Sequence, residues 1–487
     1  QTCQRPPVPY YCEERANISL QLVSYMNMQT KSLTYYLPDF LVRFFTKGHE
    51  RSVRAKKNIG ASFFLKGITL AIGFVRVPIA LGYLNVTEYG IWLTLSSIIT
   101  WFAFFDIGLG NGLRNKLAEA LAKGDNKLAQ IYVSTTYAIL TIIITVVYVS
   151  CIIISQFVDW VKILNTSSDL AGELQLLVFV VITSFALRFV FGLITTVLTA
   201  DQKPAIGSCI GVLGSIFYLI VLIILSKTTS GSLVYLAIAS GGSSLIFIII
   251  ASIYLYSNTY KVIRPSLNAL NFKYFKDLGT LGARFFIVQI AVLIIFATDN
   301  MIITQILGPQ EVVPYNIARK FIGIISMFFG IIIMPFWSAY TEAYVKDDIK
   351  WIKNTTRKLL KIWGLASAGV IILIIISNPV YHFWLGDKIK VPLIISIGMG
   401  LFVVISTWNN VFVYLTNATG KIQIQLYCSI IVAIINIPIS VYFAKNLGMG
   451  AAGVIFGTCV SLLSGSILAP IQHFKIVNKK ATGIWNK

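Results

Sequence analysis

Six basic residues and two carboxylates stand inside long apolar stretches of this 487-residue sequence: Lys66, Arg76, Arg188, Arg284, Arg319 and Lys320 against Asp106 and Asp299. On insertion scales a charge in hydrocarbon costs roughly 2.5–3.5 kcal/mol, so such groups face a polar interior and mark candidate sites. Arg188 gives the strongest signal. It lies 14 residues from Leu174 and 11 from Thr199, and at about 1.5 Å per residue neither surface is within easy snorkelling reach. Ser184, Arg188, Gly192, Thr195 and Thr199 follow 4-4-3-4 spacing, which predicts one polar or small stripe along a helix. That stripe faces either a neighbouring helix, with the arginine ion-paired or carbonyl-bound, or a wet cavity holding an anionic ligand.

Two further stripes are expected. Lys66, Thr69, Gly73, Arg76 and Ala80 share one face, with Arg76 just before Pro78; the proline frees a backbone carbonyl and can kink the helix. Asn316, Lys320, Gly323, Ser326 and Gly330 form another. Lys66, Arg319 and Lys320 lie near enough to helix ends for snorkelling to compete with a cavity role. Asp299 is expected to form a salt bridge with a cation at similar depth, Arg76 being the candidate, or to serve as a proton or sodium site. Asp106 reads as a capping or loop-anchoring residue. With six cations to two carboxylates, the favoured ligand is an anion, and the planar guanidinium fork suits phosphate oxygens.

The elements that position these charges are about twelve apolar stretches: 59–84, 89–111, 129–154, 174–199, 205–226, 233–256, 279–304, 315–338, 359–377, 392–416, 422–444 and 451–473. Each is long enough for a helix to cross a hydrocarbon core of about 30 Å. Hydrophobic content of 56% with 12% charged residues lies well outside the soluble range. The expected fold class is an all-α polytopic membrane protein. Counted from Arg43, 26 cations fall before the first stretch, around and after the even-numbered stretches or after the last. Only Lys162, Lys227, Lys388, Lys390 and Lys445 fall in the odd-numbered gaps. By the positive-inside rule both termini are cytoplasmic. The net charge of +21 is thus directed at lipid headgroups, not at nucleic acid.

The expected organisation is a polar N-terminal extension (1–57), six helices (58–256), a cytoplasmic loop (257–278), six more helices (279–473) and a basic tail (474–487). Residues 1–32 lack the apolar core of a secretory signal, Met26 and Met28 are alternative starts, and the sequence leaves open whether residues 1–45 act in the mature protein. GASFF at Gly60–Phe64 returns as GARFF at Gly282–Phe286. Glu119-Ala120 with Lys123 and Asp125 returns as Glu342-Ala343 with Lys346 and Asp348, and LTADQK at Leu198–Lys203 as LTNATGK at Leu415–Lys421. Offsets of 217 to 223 in one order imply an internal repeat, two six-helix lobes in the same orientation and a site between them near the midplane.

Other chemistries are disfavoured. The six cysteines form no CxxC pair and the three histidines have no ligand-spaced companion, so no metal site or disulfide framework is implied. No P-loop, GxSxG or HExxH occurs, which argues against ATP hydrolysis and hydrolase chemistry.

The run Val86–Asp125, with its TEYG turn and FDIGLGNGLRNKLAEA segment, resembles the second-helix region of bacterial polysaccharide flippases. Tyr315–Arg319 and the LTADQKP and LTNATGK loops resemble them too. The resemblance spans about residues 56–475 and points to the Wzx (O-antigen) group of the multidrug/oligosaccharidyl-lipid/polysaccharide exporter superfamily, a MATE-like fold. It implies a non-enzymatic flippase in the bacterial inner membrane. The expected activity is alternating-access movement of undecaprenyl-pyrophosphate-linked oligosaccharide for O-antigen or capsular polysaccharide synthesis. No cofactor is expected beyond H+ or Na+ coupling. The expected partners are the lipid-linked oligosaccharide and membrane lipids, with a polysaccharide polymerase and glycosyltransferases nearby. The competing readings are a multidrug or cation antiporter of the same fold, for which an acidic cavity is expected, and a membrane-embedded glycan polymerase or ligase.

Overall fold

In hydrocarbon a chain must satisfy its own backbone, which leaves the helix as the default element for these apolar stretches. The computed structural model describes residues 50–102, 109–274, 298–334 and 336–486, and every regular element among them is helical. In chain order these are α1 (Glu50–Tyr83), α2 (Val86–Phe102), α3 (Leu109–Lys123), α4 (Asn126–Phe157), the single turn α5 (Trp160–Ile163), α6 (Ala171–Phe191), α7 (Leu193–Ala200), α8 (Pro204–Thr228) and α9 (Leu233–Ser257). They continue with α10 (Asp299–Leu307), α11 (Val312–Ile322), α12 (Ile324–Ile333), α13 (Phe336–Val345), α14 (Ile349–Ile375), α15 (Ser377–Leu385), α16 (Leu393–Thr419), α17 (Gln423–Val441) and α18 (Gly450–Val477).

Nine helical spans among the described residues are long and apolar enough to cross a membrane, and the pair α11–α12, bent by 42°, makes a tenth. The chain is a multi-pass membrane protein. The expected second and seventh helices run into residues outside the description, as do the extension 1–49, Asp106 and Arg284. Two helices start earlier than their apolar stretches because aspartates cap them: Asp125 accepts from Leu128 N at 2.9 Å and Asp348 from Trp351 N at 3.0 Å. The basic run Lys350–Lys361 is therefore helical, a cationic extension of α14.

The repeat motifs turn out to be one geometry used twice. Asp125 N donates to Ala120 O and Asp348 N to Ala343 O, and the residues before them, Gly124 and Asp347, both have positive φ (73° and 55°). Lys203 N likewise donates to Leu198 O and Lys421 N to Thr416 O, after left-handed Gln202 and Gly420. These are helix ends closed by a left-handed residue, which satisfies carbonyls that would otherwise lack donors. What repeats is the punctuation between helices.

The apolar core is shared at one end and divided at the other. At the cation-poor end one cluster draws on both parts of the chain, from Val77, Ile91 and Leu177 to Ile303, Ile317 and Met399. At the basic end a cluster from Leu109 to Ile263 belongs to the N-terminal helices alone. A separate one, with Phe329, Tyr340 and Phe412, belongs to the C-terminal helices. The connecting segment is strapped to the first of these. Gln130 Nε2 donates to Arg264 O at 3.1 Å, Ser266 N to Ser134 Oγ at 3.0 Å and Asn271 N to Thr135 Oγ1 at 3.1 Å. Beside it Tyr260 donates to Asp201 at 2.8 Å, and burial together with that carboxylate pushes the phenol up.

Lys123, Ser168, Lys350 and Lys388 are all exposed at loops or helix ends. Single cysteines at Lys123 and Lys350 should label only from the cytoplasm, and those at Ser168 and Lys388 only from outside. Labelling of all four from one face would refute the inside–inside topology.

Candidate functional site

The predicted cations that the structure describes do not gather in one place. Arg188 stands exposed in a cavity of about 570 Å3 walled by α2, α4, α6, α7 and α9, with Trp92, Ser96, Ser184, Phe185 and Ser240 in its lining. That is the size of an ordinary small-ligand site, apolar with a few convergent polar groups. Among the described residues no carboxylate lies within 4 Å of Arg188; the ion pairs there, such as Lys123–Glu119, Lys203–Asp201 and Lys479–Asp347, lie in loops or on solvent-facing helix ends.

The helix that carries the predicted stripe tightens at Gly192. Gly192 N donates to Arg188 O at 2.8 Å, and Thr195 N reaches back only three residues, to Gly192 O at 2.9 Å. Ser184, Arg188 and Gly192 line the cavity, and the position that continues them is Thr196, four residues on. Thr195 instead packs near Gly207 and gives its hydroxyl to Gly192 O. A Cβ at Gly192 would stand 2.7 Å from Arg188 O, so only glycine fits this bend. The same device recurs at Gly323, whose N–H donates to Arg319 O where α11 and α12 bend.

Arg76, Arg319 and Lys320 form a second group at the shared, cation-poor end. Arg76 lays its guanidinium over the Tyr218 ring, 5.1 Å from the centroid. Lys320 Nζ donates to Gly73 O of α1. It also lines, with Arg319, two cavities of about 210 and 370 Å3. Lys66 is exposed on α1. Asp299 is not the partner of Arg76, whose guanidinium is turned toward α8. Its Oδ2 accepts from Tyr315 Oη at 2.6 Å and its Oδ1 from Thr458 Oγ1 at 3.4 Å. Arg319, one turn beyond Tyr315, lines the same small cavity as this carboxylate.

Hydrogen bonds between the N- and C-terminal helices cluster at this same end. Thr94 and Thr304 hydroxyls meet at 2.6 Å, Asn165 Nδ2 donates to Thr304 O at 3.0 Å and Asn300 Nδ2 to Leu93 O at 3.4 Å. The TEYG turn explains the fit. Glu88 completes a capping box with Asn85 (2.8 and 3.1 Å), Tyr89 is buried, and a Cβ on Gly90 would overlap the carbonyl of Pro309. Pro309 belongs to the turn before α11, and Glu311 follows Glu88 at an offset of 223. The two repeat-related turns therefore pack on each other. Sequence reading had missed Gly90, although its place beside a capping box was a usable signal.

The profile of the family described as polysaccharide biosynthesis protein matches residues 55–341, more than half of the chain. This protein belongs to that family. A putative O-antigen transporter of Salmonella typhi is 21% identical over 411 residues, covering 83% of this chain and 92% of the relative. A putative O-antigen export protein of Yersinia pseudotuberculosis is 24% identical over 419 residues, covering 81% and 90%. Among solved structures, an inward-facing MATE family multidrug transporter of the MOP superfamily superposes with a TM-score of 0.70 at 14% identity, covering 85% of this chain and 96% of that one. The family member described here thus has the MATE-like fold.

Because Gly90 sits against backbone, Gly90→Ala should cost about 1–3 kcal/mol of the closed contact, as overpacking does elsewhere. A Thr94→Cys/Thr304→Cys pair should cross-link readily on oxidation in the parent protein and much less with Gly90→Ala. Equal cross-linking would show that the turn yields without separating.

Proposed function

We propose that this protein is a flippase that moves undecaprenyl-pyrophosphate-linked oligosaccharide across the bacterial inner membrane by alternating access, for O-antigen or capsular polysaccharide synthesis. The observation that carries the reading is Arg188, lining a cavity without a nearby carboxylate among the described residues. A pyrophosphate supplies the charge and the oxygens that a planar fork accepts. The relatives named for O-antigen transport support the substrate class. The divided core supports the motion, because two independent clusters at the basic end can separate or meet without unpacking either one. In this reading the basic end faces the cytoplasm, and lipid-linked sugar enters between the two sets of helices. The multidrug reading is weaker: cationic drugs call for an acidic cavity, and the carboxylate of Asp299 is buried and already hydrogen-bonded.

Arg76, Lys66, Arg284, Arg319 and Lys320 complete the proposed cationic path. Asp299 is assigned to charge compensation of Arg319 instead of to H+ or Na+ exchange, since Tyr315, Thr458 and Arg319 surround it.

Arg188→Ala should nearly abolish complementation of a flippase-null strain at normal membrane abundance, with lipid-linked oligosaccharide accumulating inside. Arg188→Lys keeps the charge, loses the fork and should be impaired. Wild-type export by Arg188→Ala would sink the assignment. Asp299→Asn should leave the gradient dependence of transport unchanged while lowering stability; loss of gradient dependence would move Asp299 to the coupling role.

A further inference from the structure

Three membrane-spanning helices among the described residues hold an interior proline: Pro78 in α1, Pro438 in α17 and Pro470 in α18. A proline has no N–H, so the carbonyl four residues earlier loses its helical donor, and an unmet carbonyl in hydrocarbon is costly. For two of the three, the orphaned carbonyl is taken by an indole. Trp408 Nε1 donates to Ser466 O, the carbonyl freed by Pro470, at 3.0 Å. Trp384 Nε1 donates to Phe74 O, the carbonyl freed by Pro78, at 2.9 Å. The Trp384 ring also packs on Phe74, with centroids 4.6 Å apart.

The two pairs differ in what they join. Trp408 and Ser466 lie on α16 and α18, neighbours within the C-terminal helices. Trp384 lies on α15 and reaches across to α1, on the N-terminal side of the shared core. Lys320 Nζ takes the adjacent carbonyl, Gly73 O, from the same direction.

We propose that Trp384 is a gating residue, a releasable latch that holds α1 closed at the cation-poor end by supplying the donor that Pro78 removes. Separation of α1 from α15 leaves the Phe74 carbonyl without a protein partner. The open state is then accessible only when water reaches the break, so this end opens as a wet passage and not as a lipid-filled gap. The Trp408–Pro470 pair joins helices that stay together and acts as a permanent staple. The inference rests on the alternating-access reading, but its test needs neither substrate nor export.

Val77 is 4% exposed and adjoins Pro78, so Val77→Cys in a cysteine-free background reports opening to a membrane-impermeant maleimide added at the cation-poor face. Trp384→Phe keeps an aromatic ring and removes the donor. It should speed labelling about fivefold, the equivalent of roughly 1 kcal/mol for one hydrogen bond. Pro78→Ala returns an N–H to Phe74 O, so Trp384→Phe should add less than about twofold on that background, again judged against one hydrogen bond. Trp408→Phe should leave the labelling rate unchanged while lowering the Tm. Unchanged labelling in Trp384→Phe, or an equal increase with and without Pro78→Ala, overturns the proposal. If Trp384→Phe fails to accumulate, recovery of the protein by Pro78→Ala supports the shared carbonyl, and no recovery overturns it. A protein that fails to export sugar yet shows this labelling pattern would refute the flippase reading and keep the latch.

Discussion

Inside hydrocarbon every backbone carbonyl needs a donor from the protein itself, and several irregular points among the described residues are different answers to that demand. At the helix ends a left-handed residue turns the chain back so that N–H groups reach the last carbonyls, as at Gly124 and Gly420. At the bends in the fourth and eighth expected spans, a glycine keeps its N–H on the carbonyl of an arginine one turn earlier. At Pro78 and Pro470 the donor comes from a tryptophan on another helix. The bends lie one turn from Arg188 and Arg319, so the features that keep the backbone satisfied also aim the charged side chains.

The packing gives this arrangement a direction. A single core joins both sets of helices at the cation-poor end, whereas the basic end is built from two cores. Burial of apolar area holds each set together and is insensitive to how far apart the sets stand at the basic end. In the proposed alternating-access cycle, opening the joined end parts the shared core together with its few polar contacts and the close approach of Gly90 to Pro309. Such contacts are individually worth about 0.5–1.5 kcal/mol, a scale that a ligand can overcome by binding one state better than the other.

Much of this was legible from the sequence. Apolar stretch length fixed the helical class, and the alternating loop charge set an expected orientation. The repeat motifs marked equivalent turns because their residues do local work: Asp125 and Asp348 cap helices, and Gly420 supplies a left-handed end. Local chemistry is what one sequence records well. The relation between Arg188 and Thr195 was not legible, because the i+3 and i+4 positions flank the same helical face and spacing does not say that Thr196 is the one at the cavity. The pairing of Asp299 was missed for a similar reason. Depth along a helix places a residue on an axis but does not say which way its side chain turns, and Tyr315 and Thr458 come from elements remote in sequence.

The division of the cations between two places has a physical reading of its own. Lys320 has a carbonyl acceptor and Arg76 an aromatic face, so each charge has a protein group at hand and ties helices together where the core is shared. Arg188 sits where helix contacts leave a cavity, and its neighbours there, Ser184, Ser96 and Ser240, are neutral. A cation surrounded by hydroxyls and aromatics keeps most of its attraction for an anion, since no carboxylate among the described residues pairs with it and the low-dielectric walls strengthen the field. In the proposed flippase, some intramembrane charge thus also holds the closed end, while Arg188 is left facing a cavity for the ligand. A bundle stabilised only by ion pairs would have compensated that residue as well.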